Sequence, residues 1–266
     1  MAMAIPVAVL ARLVRRRRAI VLGALVAVVA ASWAYLWLGA GIGMEVVDAG
    51  GTQTAAAPPA WSPPYALLVL VMWVVMMAAM MLPTAAPTVL LVTALAWERF
   101  GDTNLVPARA MLFAVGYLLT WCGFSLLATL LQWGLDEAGL LSDRMALGNA
   151  ILAGAVLVGA GVYQLTPLKD ACLRHCRSPT DFLVRHWRRG ALGAVRTGVR
   201  HGLFCHGCCW MLMALLFVGG VMNVAWIGVI ALFVLFEKTA PWGARASRLG
   251  GLLLLLWGTA SLVEEI

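Results

Sequence analysis

Three thiols stand within five residues in the run His201-Gly202-Leu203-Phe204-Cys205-His206-Gly207-Cys208-Cys209-Trp210-Met211-Leu212-Met213. On a helix turning about 100° per residue, Cys208, Cys205 and Cys209 fall near −60°, 0° and +40°, with Met213 near +80° and His206 near +100°. Soft donors gathered on one face suit Cu(I), zinc or an iron–sulfur cluster. A lone cysteine in an apolar helix is ordinarily an inert small hydrophobe. Three beside a histidine point instead to a metal site, with redox-active thiols and plain packing as the alternatives.

Two further patterns share this chemistry. Cys172 and Cys176 stand four apart in Lys169-Asp170-Ala171-Cys172-Leu173-Arg174-His175-Cys176-Arg177, a spacing that places both on one face of a helix. Neither cysteine group has a zinc-ribbon register. Upstream, Met72, Met76, Met77, Met80 and Met81 put five of the chain's 13 methionines into ten residues. Met72, Met76 and Met80 form one helical row, and Met77 and Met81 the next. Such stripes commonly serve adaptable packing. Next to thiols they offer a second use, because a thioether binds Cu(I) without losing a proton. Pro83 follows at once, and a helix interrupted by proline is tolerated where it lines a cavity. Glu237-Lys238 is either a buried functional acid beside the site or a helix-end pair reaching for the headgroups. The candidate metal ligands are thus Cys205, Cys208, Cys209, His206, Cys172, Cys176, Met76, Met80, Met81, Met213 and Glu237.

The elements that position these residues follow from composition. Of 266 residues, 63 % are hydrophobic and 12 % charged, and the mean hydropathy is +0.92. A soluble domain carries roughly twice that charge. The chain therefore reads as an integral membrane protein, all-α and polytopic. Seven stretches are long enough, or nearly so, to cross a bilayer as helices: about 19–41, 66–95, 110–135, 149–165, 203–222, 225–236 and 250–263. None alternates as barrel strands do. Pro83 and Pro87 predict a kink or break in the second. Gly116, Gly123, Gly154, Gly159 and Gly161 suit close helix packing.

Every Lys and Arg of the chain's 19 except Arg144 falls before span one, or between spans two and three, four and five, or six and seven. By the positive-inside rule that side is cytoplasmic. The N-terminus is then cytoplasmic, the C-terminus extracytoplasmic, and five of the six cysteines lie on the cytoplasmic side. There thiols stay reduced, so disulfides are not expected. The net charge of +7 is accordingly a topology signal and not a sign of a nucleic-acid partner. The expected organisation is a basic cytoplasmic N-terminus at 1–18 and one helical membrane domain at 19–266, in a bacterial inner membrane. The first helix is expected to be retained and not cleaved as a signal peptide. The segment 48–64 reads as an extracytoplasmic loop and 166–201 as a basic cytoplasmic one. Within the latter, 181–200 forms either a surface amphipathic helix or a solvated charged loop.

The motifs Met72-Trp73, Met76, Ala79-Met80-Met81-Leu82-Pro83, then Tyr163-Gln164-Leu165-Thr166-Pro167-Leu168-Lys169, Cys172, Cys176-Arg177 and Pro179, then His201-Gly202, Cys205, Gly207-Cys208-Cys209-Trp210 and Met213, with Glu237-Lys238, together resemble a bacterial family of predicted metal-binding integral membrane proteins. The resemblance runs from about Trp61 to Pro241 and implies a multi-span metal-binding protein without specifying a reaction. The expected cargo is copper first and zinc second, taken from a cytoplasmic metal donor or passed to a membrane partner subunit. A metal-dependent membrane oxidoreductase and a structural subunit with inert cysteines are the competing readings. The chain carries only four histidines, all near the cytoplasmic side, and no phosphate-binding loop, which disfavours haem-type or ATP-driven chemistry.

Overall fold

The computed structural model describes the backbone of residues 7–39, 45–47, 53–55, 60–100, 106–142 and 145–264, and the side chains of 15–39, 60–93, 107–142 and 145–264. The chain is helical: α1 (Val7–Trp37), α2 (Pro63–Phe100), α3 (Val106–Glu137), α4 (Ala150–Gln164), α5 (Pro167–Arg177), α6 (Pro179–His186), α7 (Gly190–Ala214), α8 (Leu216–Gly219), α9 (Val224–Thr239) and α10 (Gly243–Val263). One departure from an all-α chain is a three-residue antiparallel pair, β1 (Glu45–Val47) with β2 (Gln53–Ala55). Of the expected loop at 48–64, the rest up to Pro59 lies outside the described residues, as do Asp143 and Arg144 and the side chains of Arg12 and Arg99.

The described residues of the seven apolar stretches are helical over most of their length. Among the described residues five helical stretches are long and apolar enough to cross a membrane: Arg15–Trp37, Pro63–Thr93, Pro107–Glu137, Gly190–Gly219 and Gly243–Val263. The number is six if α4 and α5, bent by 65° at their junction, make one broken span. At 16 residues α9 is shorter than these. Of the kink or break expected at Pro83 and Pro87, the break does not occur: α2 runs helical through both. Residues 181–200 form neither a single surface helix nor a loop. Helix α6 ends at His186, and Gly190, in the left-handed region at φ +83°, starts α7 thirteen residues before the predicted span. The apolar pattern could not show this, because the first three turns of α7 carry Arg196 and Arg200 on their exposed side.

Opposite ends of the bundle gather different partners. At one end Trp61 Nε1, just before α2, donates to Asp136 Oδ2 near the end of α3 at 2.5 Å, and Leu147 donates its N–H to the Phe217 carbonyl at 2.7 Å. At the other, Arg177 at the end of α5 donates to the Glu237 and Pro241 carbonyls at 2.6 and 3.0 Å. Small residues set two of the helix contacts. Helices α4 and α10 meet at Gly154, Gly161, Gly251 and Gly258, where a Cβ on Gly258 would stand 2.8 Å from the Val158 nitrogen. Helices α3 and α7 meet at Gly116, Gly198 and Gly202. Gly123, expected to pack likewise, faces open space.

Polar caps fix where the short helices begin. Asn149 Oδ1 accepts from the Leu152 N–H at 2.9 Å, and Asn223 Oδ1 from that of Trp226 at 3.1 Å. Each replaces a water lost by the first helical turn. Asn149→Ala is expected to cost about 1 kcal/mol, read as a lower unfolding midpoint of the detergent-solubilised chain. An unchanged midpoint would show that the cap contributes nothing.

Candidate metal centre

Helix α5 is aimed by its own first turn. Thr166 caps it, accepting from the Lys169 N–H at 3.3 Å, while Pro167 at the first position needs no hydrogen-bond partner. Thr166 Oγ1 also donates to the Tyr163 carbonyl at 2.8 Å, which ties the bend back to α4. The i, i+4 spacing then presents Cys172 and Cys176 to α7. Gly207 makes the approach possible: a Cβ there would stand 2.6 Å from Cys172 Sγ. The Tyr163 hydroxyl of α4 donates to the Gly207 carbonyl. One turn on, Cys176 Sγ lies 3.9 Å from Cys208 Sγ. Two sulfurs distant by 32 residues are thus brought together.

Helix α7 buries Cys205, Cys208 and Cys209, as their common helical phase predicts. The thiols of Cys208 and Cys209 donate to the Cys205 carbonyl at 3.1 and 2.9 Å, which holds both rotamers. Cys205 Sγ itself accepts from Lys238 Nζ at 2.9 Å and is in hydrogen-bond contact with the Tyr117 hydroxyl at 3.0 Å. The same ammonium reaches Cys209 Sγ at 3.9 Å and Thr84 Oγ1 at 3.3 Å. Tyr117 donates to the Met81 carbonyl at 3.2 Å, and so does Thr84 Oγ1 at 2.8 Å. The turn of α2 beside Pro83 therefore meets the thiols through a carbonyl, a hydroxyl and a lysine. The sequence marks Lys238 only as the neighbour of Glu237, and Tyr117 and Thr84 not at all. Lone hydroxyls in helices α2 and α3 carry no spacing signal.

The other expected ligands are placed differently. Glu237 is 1 % exposed, and both its oxygens are taken by Lys169 Nζ, at 2.8 and 3.0 Å; Gln164 Nε2 adds a third contact at 3.0 Å. This is a closed ion pair, with Lys169 at 0 % exposure. His206 points to α3, stacking on Trp121 at 4.4 Å between ring centres, with Phe124 at 5.1 Å. Met76, Met80, Met81 and Met213 are all buried in the core. Among the described residues no hydrogen bond joins their sulfurs to the thiols, and Met81 connects through its backbone. Outside the apolar helices, His175 stacks flat on Phe204 at 4.1 Å, and burial together with the Arg200 charge holds the nearby His186 imidazole below its ordinary pKa.

Lys238 is 6 % exposed, and the two ion pairs among the described residues, Lys169–Glu237 and Arg248–Asp170, do not include it. Its partners are sulfurs and a hydroxyl. Also among those residues, no three His, Cys, Asp or Glu side chains are arranged to hold a metal ion. What the geometry offers is sulfur in pairs, with Cys176 facing Cys208 and with Cys205 and Cys209 around one ammonium. A structural zinc site takes four ligands. Copper too takes soft thiolate donors, and a sulfur pair is of that kind. No curated protein and no solved structure gives a significant match to the chain. A family model described as "PpoB2: Copper chaperone" matches residues 70–261, from the methionine row of α2 to the last turns of α10. The chain belongs to that copper chaperone family.

Proposed function

We propose that this chain is a membrane-embedded Cu(I) chaperone that receives copper at its cytoplasmic face and hands it to a membrane partner. The observation that carries the reading is the convergence of Cys172 and Cys176 from α5 with Cys205, Cys208 and Cys209 from α7, in a member of a copper chaperone family. Copper enters between Cys176 and Cys208, the pair contributed by two helices. Thiolate exchange moves it to Cys205 and Cys209. The thioethers of Met76, Met80, Met81 and Met213 serve as weaker stations deeper in the bundle, from which Cu(I) can leave as well as arrive. Seven spans with a cytoplasmic N-terminus accommodate this route, α9 being the sixth. The side preference of the basic residues supports that orientation, as does the separation of the Trp61–Asp136 and Arg177–Pro241 contacts to opposite bundle ends.

The test is metal content. Full-length protein purified in detergent under reducing conditions and loaded with Cu(I) is expected to retain near-stoichiometric copper by elemental analysis. The triple variant Cys205→Ser, Cys208→Ser, Cys209→Ser is expected to lose it. Unchanged copper in the triple variant would sink the assignment.

A further inference from the structure

Lys238 is a buried cation whose described hydrogen-bond partners are Cys205 Sγ, Cys209 Sγ and Thr84 Oγ1. Every other buried charge among the described residues is answered by a charge of opposite sign, as Lys169 is by Glu237. Removing an ammonium from water without an anion is expensive. A thiolate pair holding Cu(I) carries one net negative charge. The geometry points to Lys238 as the fixed counter-charge that makes the Cys205/Cys209 pair selective for a monovalent soft cation. Two thiolates and one Cu(I) sum to −1, and with the ammonium the buried site is neutral. Two thiolates with a divalent soft ion sum to zero, which leaves the ammonium without an anion. The chemical class selected is a linear bis-thiolate of charge −1, hence Cu(I) or Ag(I) over Hg(II) or zinc. The thiol protons leave with binding, and no electron is transferred.

The position of the lysine fits this role in three ways. It sits in the last turn of α9 at the pole with the helix's negative end, where a cation is favoured even before metal arrives. Its Nζ is closer to Cys205 than to Cys209, at 2.9 against 3.9 Å, and Cys205 also has the Tyr117 hydroxyl at 3.0 Å. The ammonium thus stands against the sulfur whose charge it would answer. Lys238 lies next in sequence to Glu237 yet does not pair with it, because Lys169 and Gln164 already hold that carboxylate. The Lys169–Glu237 pair therefore keeps the neighbouring acid away from Lys238.

This inference rests on the copper reading above and is tested by ions of equal coordination and unequal charge. Full-length wild type, Lys238→Met and Lys238→Arg, each purified in detergent, are dialysed against competing thiol ligands with Cu(I), Ag(I) or Hg(II). Lys238→Met is expected to weaken Cu(I) and Ag(I) about tenfold or more, leave Hg(II) within about threefold, and be rescued by Lys238→Arg. Equal loss of all three ions would show a merely structural lysine and overturn the proposal. So would unchanged Cu(I) and Ag(I) affinity. A wild-type chain that takes up neither monovalent ion overturns the copper reading itself. A Lys238→Met chain that keeps Hg(II) is folded at this site, so misfolding cannot imitate the expected result.

Discussion

Glu237→Gln destabilises the protein by about 3–5 kcal/mol, the usual penalty for leaving one member of a buried ion pair alone. Both side chains are essentially without solvent, and Lys169 Nζ spans the two carboxylate oxygens at 2.8 and 3.0 Å. The amide keeps the volume and one oxygen for Gln164 or Lys169, but the charge is gone. Lys169→Met strands Glu237 in the same way. Removing both charges at once, in Lys169→Met with Glu237→Gln, is expected to recover most of the loss, because an uncharged pair pays no ionic desolvation. Thermal or denaturant unfolding in one detergent, run as a double-mutant cycle, measures the coupling. Additive single effects would show that the pair contributes nothing as a pair. Copper retention should survive in the double variant if Glu237 is structural and not a ligand.

The second large effect concerns the α3–α7 contact. Gly198→Ala is expected to cost about 3 kcal/mol, the upper part of the range for overpacking, since the added Cβ would overlap the Phe113 carbonyl. A backbone obstacle cannot rotate away, so the helices must part. Gly116→Ala meets the Val195 carbonyl and should cost as much. Gly202→Ala meets chiefly the Thr120 side chain, which can move, so it should cost less. Gly123→Ala faces open space and should be near neutral or better, alanine being the stronger helix former. The order of unfolding midpoints checks this, and a Gly198→Ala chain as stable as Gly123→Ala would contradict it. Parting α3 from α7 also separates Tyr117 from Cys205, so Gly198→Ala should weaken Cu(I) retention while Gly123→Ala should not.

Much of this was legible from one sequence. Apolar length located the helices, and helical phase alone put Cys205, Cys208 and Cys209 on one buried face. Spacing also predicted that Cys172 and Cys176 would be presented together. What stayed hidden were pairings between distant elements. Lys169 and Glu237 are 68 residues apart, Tyr117 and Cys205 are 88, and Thr84 and Lys238 are 154. No periodicity encodes such partners. An acid in an apolar segment invites a ligand's role, and the cation that pairs with Glu237, Lys169, sits on another helix. The small-residue pattern was right at Gly116, Gly154 and Gly161 and empty at Gly123, since a glycine's use depends on what stands opposite. The start of α7 was misplaced because three exposed-face turns with arginines look like a loop in a hydropathy profile.

The bend between α4 and α5 divides the sulfur pairs into two mechanical kinds. Cys205 and Cys209 ride on one helix, so their separation is set by the pitch of α7 and changes only if that helix unwinds. Cys176 and Cys208 ride on two, α5 and α7, and α5 leaves α4 at a 65° corner by Thr166. A small rotation of α5 about that corner swings Cys176, three turns out along the arm, while Cys205 and Cys209 stay as they are. The pair shared by two helices behaves as a jaw and the pair on one helix as a fixed rung. Grip at the jaw follows the pose of a short helix that a docking partner can lean on, and grip at the rung does not.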